Sequence, residues 1–421
     1  MSFKAGHPAF FIVLFFVTFS FIAHDMRTAM RRLPLTSTIH RLTRLLTVSL
    51  CALWLAGCAA LQGASDPAHR VGSLRLIGEQ RIALNQEFRG TVIGGLSGID
   101  YDAATDTWVA ESDDRSEVSP ARFYTLRLRY DLNGFHQASV EDVTFLRQAD
   151  GSLYPGVKEV ARLGGEVPDI ESIRVDPQDG SLWYSSEGSR PLGMSPFVRQ
   201  ARRDGRHLAN FPVGAMFDIH PDREWGPRNN LSFEGLSFSP DGNSLWLGME
   251  EPLYQDGPVA SVEHGALARI TRYGRDGAML AQYAYPLDPI PHAPGGKYAD
   301  NGLSEILAVD DTRLLVLERA GIQGKDGIFS FHIRLYEMDV AQASDTRQLV
   351  SLRDADRLAP ANKRLVLDFN RPALLEKVDN LEGMSWGPKL ANGHDSLVFV
   401  SDNNFTPSQV TQLLVFEVLP P

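Results

Sequence analysis

The chain is almost without cysteine. Cys51 and Cys58 are its two cysteines in 421 residues, so nothing after residue 58 can form a disulfide or do thiolate chemistry. No Cys/His spacing of the zinc type occurs, and there is no G-x-S-x-G nucleophile elbow. Helical periodicity is scarce as well, with no amphipathic stretch of useful length, which excludes bundles and α/β layers. Positive charge is also in short supply. Lys and Arg number 41 against 52 Asp and Glu, and six of the 41 lie in residues 1–57 beside a single acid. Residues 58–421 therefore carry a formal charge of −16, where the whole chain carries −11. So acidic a chain is no nucleic-acid binder, because phosphate backbones are held by excess positive charge. A divalent cation suits it better.

The first 60 residues have a composition of their own. Residues 9–23 form an apolar run of 15, short for a membrane span, followed by Arg27, Arg31, Arg32, Arg41 and Arg44. A second apolar run ends at Leu55-Ala56-Gly57-Cys58. Basic region, apolar region and small residues before a cysteine describe a bacterial export signal. Its end resembles a lipobox, which implies lipidation of Cys58. The apolar run before Met26 reads as a start assigned too far upstream, with Met26 or Met30 as the true one. The expected organisation is an export signal over 1–57, a lipidated Cys58 with a flexible tether to residue 72, and one domain over 73–421. Ala59 and Ala60 lack the Asp that signals inner-membrane retention, so an outer-membrane anchor facing the periplasm is expected.

What the rest of the chain has is a repeat. It reads GLSGIDYDAATDTWVAESDD from Gly95, IESIRVDPQDGSLWYSSE from Ile170 and FEGLSFSPDGNSLWLGMEE from Phe233. It returns as LSEILAVDDTRLLVLER from Leu303 and LEGMSWGPKLANGHDSLVFVSDNN from Leu381. Each copy is an alternating apolar run, a turn rich in Asp and Gly, a second apolar run and an acidic end. The anchor positions read as Ser97, Glu171, Glu234, Glu305 and Glu382 recur every 63 to 77 residues. Short strands in a long period indicate a β-propeller. Strand-like segments come in fours, except that the last set has three, and the segment 73–84 supplies its missing strand. The expectation is an all-β ring of five four-stranded blades closed by an N-terminal strand. Six blades would require strands hidden in a long loop.

Hairpin strands are antiparallel, so the start of the first and the end of the second share one end of the sheet. Acids occupy both places: Glu171 with Glu187, Glu234 with Glu250, Glu305 with Glu318, and Glu382 with Asp402. Ser97 stands opposite Glu111, Asp113 and Asp114. The first strand of a blade lines the axis, so the repeat predicts a ring of carboxylates at one mouth of the channel. Arg115 and Arg319 follow these acids directly, and Arg190 comes three places after Glu187. The loops 188–196, 251–265, 319–330 and 403–410 and the connections 213–233 and 286–302, which carry His220, His292 and Lys297, should open there too. Oxygen ligands in number favour Ca²⁺ over Mg²⁺ or zinc. A glutamate at a strand start can equally accept backbone amide bonds and hold blades in register. Trp108, Trp183 and Trp246 read as core, the Asp-Gly pairs at 179–180 and 241–242 as hairpin turns, and His207, His332 and His394 as residues without partners.

The motifs GGLSGIDYD, PDIES, FEGLSFSPDG, DNGLSEI with LVLER, and NLEGMSW with VSDNNF carry a resemblance from about Gly94 to Asn404. In them the chain resembles the phytase-like domain family, labelled for an esterase-like activity of phytase. That resemblance implies a secreted or periplasmic propeller that hydrolyses phosphate or carboxylic esters of small molecules. It also implies calcium ions that neutralise phosphate and activate water, as in the propeller phytases. On this reading Glu171, Glu234, Glu305 and Glu382 are the catalytic carboxylates. Asp113, Glu187, Glu250 and Asp402 hold metal, and Arg115, Arg190, Arg319 and Lys297 bind substrate. A monomer is expected. The rival reading is a binding propeller of the cell envelope that turns nothing over.

Overall fold

A computed structural model describes residues 69–354 and 357–421 of the protein. The export signal and Cys58 lie outside the described residues. Within them the chain forms five four-stranded antiparallel sheets. Blade 1 comprises Ile99–Asp102, Thr107–Glu111, Arg122–Asp131 and Gly134–Phe145. Blade 2 comprises Ile170–Val175, Leu182–Ser186, Phe197–Ala201 and His207–Phe211. Blade 3 comprises Phe233–Phe238, Ser244–Met249, Ala266–Gly274 and Met279–Leu287. Blade 4 comprises Gly302–Ala308, Arg313–Gln323, Phe329–Asp339 and Asn362–Asp368. Blade 5 has Asn380–Gly387, Ser396–Asp402 and Thr411–Leu419, and its fourth strand is Ser73–Ile82. Ser73 stands opposite Leu419 and Ile82 opposite Thr411. Joining the two ends of the chain in one sheet closes the ring, as the three-stranded last repeat predicted.

The first strand of each blade touches the first strands of its two neighbours, so those five strands line the axis. Apolar side chains fill every seam. Val109 and Tyr184 bridge blades 1 and 2, Trp183 and Trp246 blades 2 and 3, Leu303 and Leu247 blades 3 and 4, Leu335 and Phe399 blades 4 and 5, and Trp108 and Val400 blades 5 and 1. The tryptophans expected in the core are there, all nearly fully buried. Glycine follows the anchor in three blades because the inner strands nearly collide: a Cβ on Gly235 would lie 2.6 Å from the Ile306 amide nitrogen.

Three features differ from the sequence expectation. The segment 319–330 is mostly strand, because AGIQ and FSF continue the alternation across a hairpin, and its loop shrinks to residues 324–328. A short hairpin, Glu87–Phe88 with Thr91–Val92, and one helical turn, Val160–Leu163, stand in stretches read as loop. The expected tether also ends before residue 72. The His69 ring stacks on Trp386 with centroids 3.9 Å apart, its Nδ1 lies 2.9 Å from Asp395, and Val71 is buried.

Candidate functional site: a carboxylate mouth

In blades 2 and 5 the anchor glutamate is skipped in strand pairing. Ile170 pairs with Ser186 and Ser172 with Ser185, leaving Glu171 out, and Leu381 and Gly383 flank Glu382 in the same way. Blade 3 has the same irregularity across Glu234 and Gly235. Such a bulge re-aims one side chain, here toward the mouth. In blade 4 the skipped residue is Ser304, and Glu305 pairs with Leu317. The repeat therefore aligns Ser304, not Glu305, with Glu171, Glu234 and Glu382.

That shift by one residue moves Glu305 down to the axis. It accepts hydrogen bonds from the Leu236 and Ile306 amides at 3.1 and 3.0 Å and lies 2.6 Å from Arg174. Arg174 is buried. It donates to the carbonyls of Ile99 in blade 1 at 2.6 Å, Ile306 in blade 4 at 3.3 Å, and Leu236 in blade 3. One guanidinium thus ties four blades together at the axis. Glu305, expected among the catalytic carboxylates, is a structural partner there and does not line the mouth cavity.

The cavity has a volume of about 650 Å³. Asp113, Glu171, Glu234, Glu382, Asp402 and Arg319 line it, with Asp300 and Asn380, while Phe329 and Phe331 form one apolar wall. A neighbouring depression of about 450 Å³ shares Asp113 and Glu171 and adds Arg115 and Asp169. Glu187 and Glu250 stand against the lining acids. Carboxylate oxygens of Asp169, Glu171 and Glu187 lie within 4.8 Å of one another, and so do those of Glu187, Glu234 and Glu250. The Arg319 Nη2 donates to Glu250 at 2.9 Å, and its Nε lies 3.5 Å from Glu382. Glu382 accepts from the Ser97 hydroxyl and from Asn380 Nδ2, each at 2.9 Å, and that amide also reaches Asp402 at 3.2 Å. Arg115 grips Asp169 through Nε at 2.7 Å and Nη2 at 2.5 Å.

Two cations cannot balance so many buried acids. Burial, then Glu234 and Asp169, pushes the Glu171 carboxyl well above the usual carboxylate range. Glu187 and Glu234 are pushed up in the same way, by burial and then by their acidic neighbours. Burial raises Asp113 too, with Asp402 and Glu382 adding to the effect. Burial takes Glu250 and Asp402 to about 8, with Arg319 pulling both down, and Asp169 to about 6 against the pull of Arg115. Several of these groups hold protons at neutral pH in the absence of a cation.

Other expected residues have other work. Arg190 donates to four backbone carbonyls, those of His220, Arg223, Trp225 and Pro227, and so fastens two loops together. Lys297 is exposed, with its ammonium over Tyr298, and does not line the cavity. Glu318 is enclosed by Tyr285, Asn301 and Lys363, and Asp114 by Arg122 and three backbone amides. Sequence reasoning missed Asp169, Asn380 and Arg174. The first two stand two places before an anchor glutamate, in DIE and NLE, and Arg174 is the one basic residue in the five inner strands, in IESIRV.

The fold and site define a class: a five-bladed propeller with a carboxylate-lined mouth. The sequence matches the family described as Phytase-like, esterase-like activity of phytase, over residues 91–405, and the chain belongs to that family. A secreted protein of Arthroderma benhamiae is 24% identical over 213 residues, 44% of this chain and 40% of that relative's length. Among solved structures, the tail fibre of Staphylococcus aureus phage P68 matches with a TM-score of 0.38 at 11% identity, over 82% of this chain and 52% of its own. The catalytic domain of a GH62 α-L-arabinofuranosidase from Coprinopsis cinerea matches with a TM-score of 0.37 at 10% identity, over 83% and 97%. At these scores neither structure bears on substrate or site. No helix among the described residues is long and apolar enough to cross a membrane.

Proposed function

We propose that the protein is an exported hydrolase of small-molecule esters, most of all phosphoesters, that works with a bound divalent cation of the Ca²⁺ type. We assign it to the periplasmic side of the outer membrane, anchored through a lipid on Cys58. The observation that carries this reading is the mouth itself, a set of buried carboxylates in excess of their counter-charges. The donor set fits a hard cation. Oxygens of Asp169, Glu171 and Glu187 converge, as do those of Glu187, Glu234 and Glu250, and Glu187 Oε2 is buried without a hydrogen-bond partner. Either trio, with Glu187 common to both, would hold an ion. Such an ion supplies positive charge to polarise an ester oxygen and favours ionisation of the acids around it.

The remaining steps belong to side chains. Arg319 is held between Glu250 and Glu382 and lines the cavity, where its guanidinium can donate to an anionic substrate oxygen. Asp402, raised to about 8, carries a proton at neutral pH and can give it to a leaving oxygen. Glu382 lines the cavity outside that ligand set, held by Ser97, Asn380 and Arg319, and can take a proton from an attacking water. Ser97 is not the nucleophile. Its hydroxyl is buried and donates to Glu382, with no histidine beside it.

The test is the double substitution Glu234→Gln with Glu382→Gln, assayed on a phosphomonoester and a p-nitrophenyl ester with and without calcium. Calcium-dependent turnover in the parent and its loss in a folded double variant is the expected result. Turnover retained in the variant would overturn the assignment. Calcium binding without turnover in the parent would leave the mouth a binding site, as in the rival reading of a non-catalytic propeller.

A further inference from the structure

Two histidines 40 residues apart meet outside the mouth. His292 lies on the connection 288–301, and His332 on the strand Phe329–Asp339 of blade 4. Their Nε2 atoms are 3.3 Å apart, the ring centroids 5.1 Å apart and the ring planes at 83°. Two imidazoles bound to one zinc at about 2.0–2.1 Å, at the tetrahedral angle, put their nitrogens about 3.3 Å apart and their centroids about 5.2 Å apart. A straight N–H···N hydrogen bond of the observed length would put the centroids about 5.6 Å apart. The pair is therefore not collinear, and its spacing matches that of two imidazoles on one ion. His292 Nδ1 lies 3.1 Å from the Ala293 carbonyl. That bond fixes the proton on Nδ1 and leaves Nε2 with its lone pair, the arrangement that ligating histidines show. The nearby Arg334 is neutralised by Asp288 at 2.6 Å.

We propose that His292 and His332 form a two-histidine site for a late first-row divalent metal such as Zn²⁺, Ni²⁺ or Cu²⁺, separate from the oxygen-lined mouth. Nitrogen ligands select these ions over Ca²⁺, so the two sites sort metals by ligand chemistry. Water completes the coordination, since His292 is exposed. The site joins two cavity walls. The connection it holds carries Asp300, and the strand it holds carries Phe329 and Phe331.

The experiment is metal titration of the full chain, purified without an affinity tag, in excess calcium to occupy the acids. Zn²⁺ and Ni²⁺ should bind at one equivalent, and Cu²⁺ should give an electron paramagnetic resonance spectrum with coupling to two nitrogens. His292→Ala and His332→Ala should each weaken Zn²⁺ binding at least tenfold. His292 is in an exposed connection, so its variant should keep the parent melting temperature in chelator. Equal zinc affinity in parent and variants would place the ion elsewhere and overturn the proposal. No zinc binding in the parent, with a lowered melting temperature in both variants, would make the pair a plain hydrogen bond and overturn it equally.

Discussion

Glu305 and Glu187 are both buried glutamates on the inner half of a blade, and their surroundings are opposite. Glu305 has a guanidinium at 2.6 Å, two backbone amides and a serine hydroxyl. Glu187 has one backbone amide, from Ser232, and one oxygen with no partner, and its neighbours are acids. Burial takes Glu305 only to about 7, with Arg174 holding it down, while Glu187 rises well above the carboxylate range. The axis is therefore a satisfied polar layer, and the mouth is an unsatisfied one. Satisfied layers specify a fold, whereas unsatisfied ones sacrifice stability and are kept where a ligand completes them.

The largest effect should come from breaking the satisfied layer. Arg174→Met leaves Glu305 uncompensated and strips three carbonyls of their donor. Uncovering one partner of a buried pair costs about 3–5 kcal/mol, so the variant should be poorly soluble or melt far below the parent in a thermal scan. A variant that melts within about one degree of the parent, on the order of what under 1 kcal/mol produces in a domain of this size, would show that the axis needs no charge. The same removal at the mouth should act with the opposite sign. Glu187→Gln removes a carboxylate that burial and like charges oppose, so in chelator at pH 8 it should melt higher than the parent. Its calcium-induced rise should be smaller than the parent's.

The next largest effect is on the pH dependence of stability. Mouth carboxylates have folded pKa values above the unfolded values near 4. Their folded state binds more protons than the unfolded state between those limits, so stability falls as pH rises. The contribution is whole below pH 4 and is lost as pH climbs through about 6 for Asp169 and about 8 for Glu250 and Asp402. The melting temperature in chelator should therefore decline from pH 5 to 9. Calcium, by holding the ionised forms, should flatten the decline. A flat profile without calcium would mean that the acids are satisfied in some other way.

The architecture was legible because repetition averages out local error. Five copies of strand, turn and strand fix blade number even where single boundaries slip, and the three-stranded last copy asked for the Ser73–Ile82 strand. Glu171, Glu234 and Glu382 were legible for the same reason. Glu305 misled because LSEI reads equally well with its glutamate at the anchor, and only the pairing register, which skips Ser304, shows the one-residue shift. Arg190 and Glu318 misled differently. Adjacency in sequence says that a charge is near the mouth, not which way its side chain turns once His220 or Lys363 offers a partner. The His292–His332 contact left no trace in local spacing, since it depends on how a long connection crosses blade 4.

The smallest effect separates charge from shape within the mouth. Arg319 is the cation shared by Glu250 and Glu382, and burial, which alone would lower its pKa, is outweighed by those two carboxylates. Arg319→Lys keeps the charge and gives up the planar fork that reaches both acids while lining the cavity. If the mouth only needs its acids partly neutralised, the variant should match the parent in melting temperature and in KM alike. If Arg319 also grips an anionic substrate, the melting temperature should hold within a degree or two. KM for a phosphomonoester should then rise several-fold, and KM for a neutral p-nitrophenyl ester should not. That split depends on the substrate's charge alone, so a general loosening of the mouth cannot imitate it.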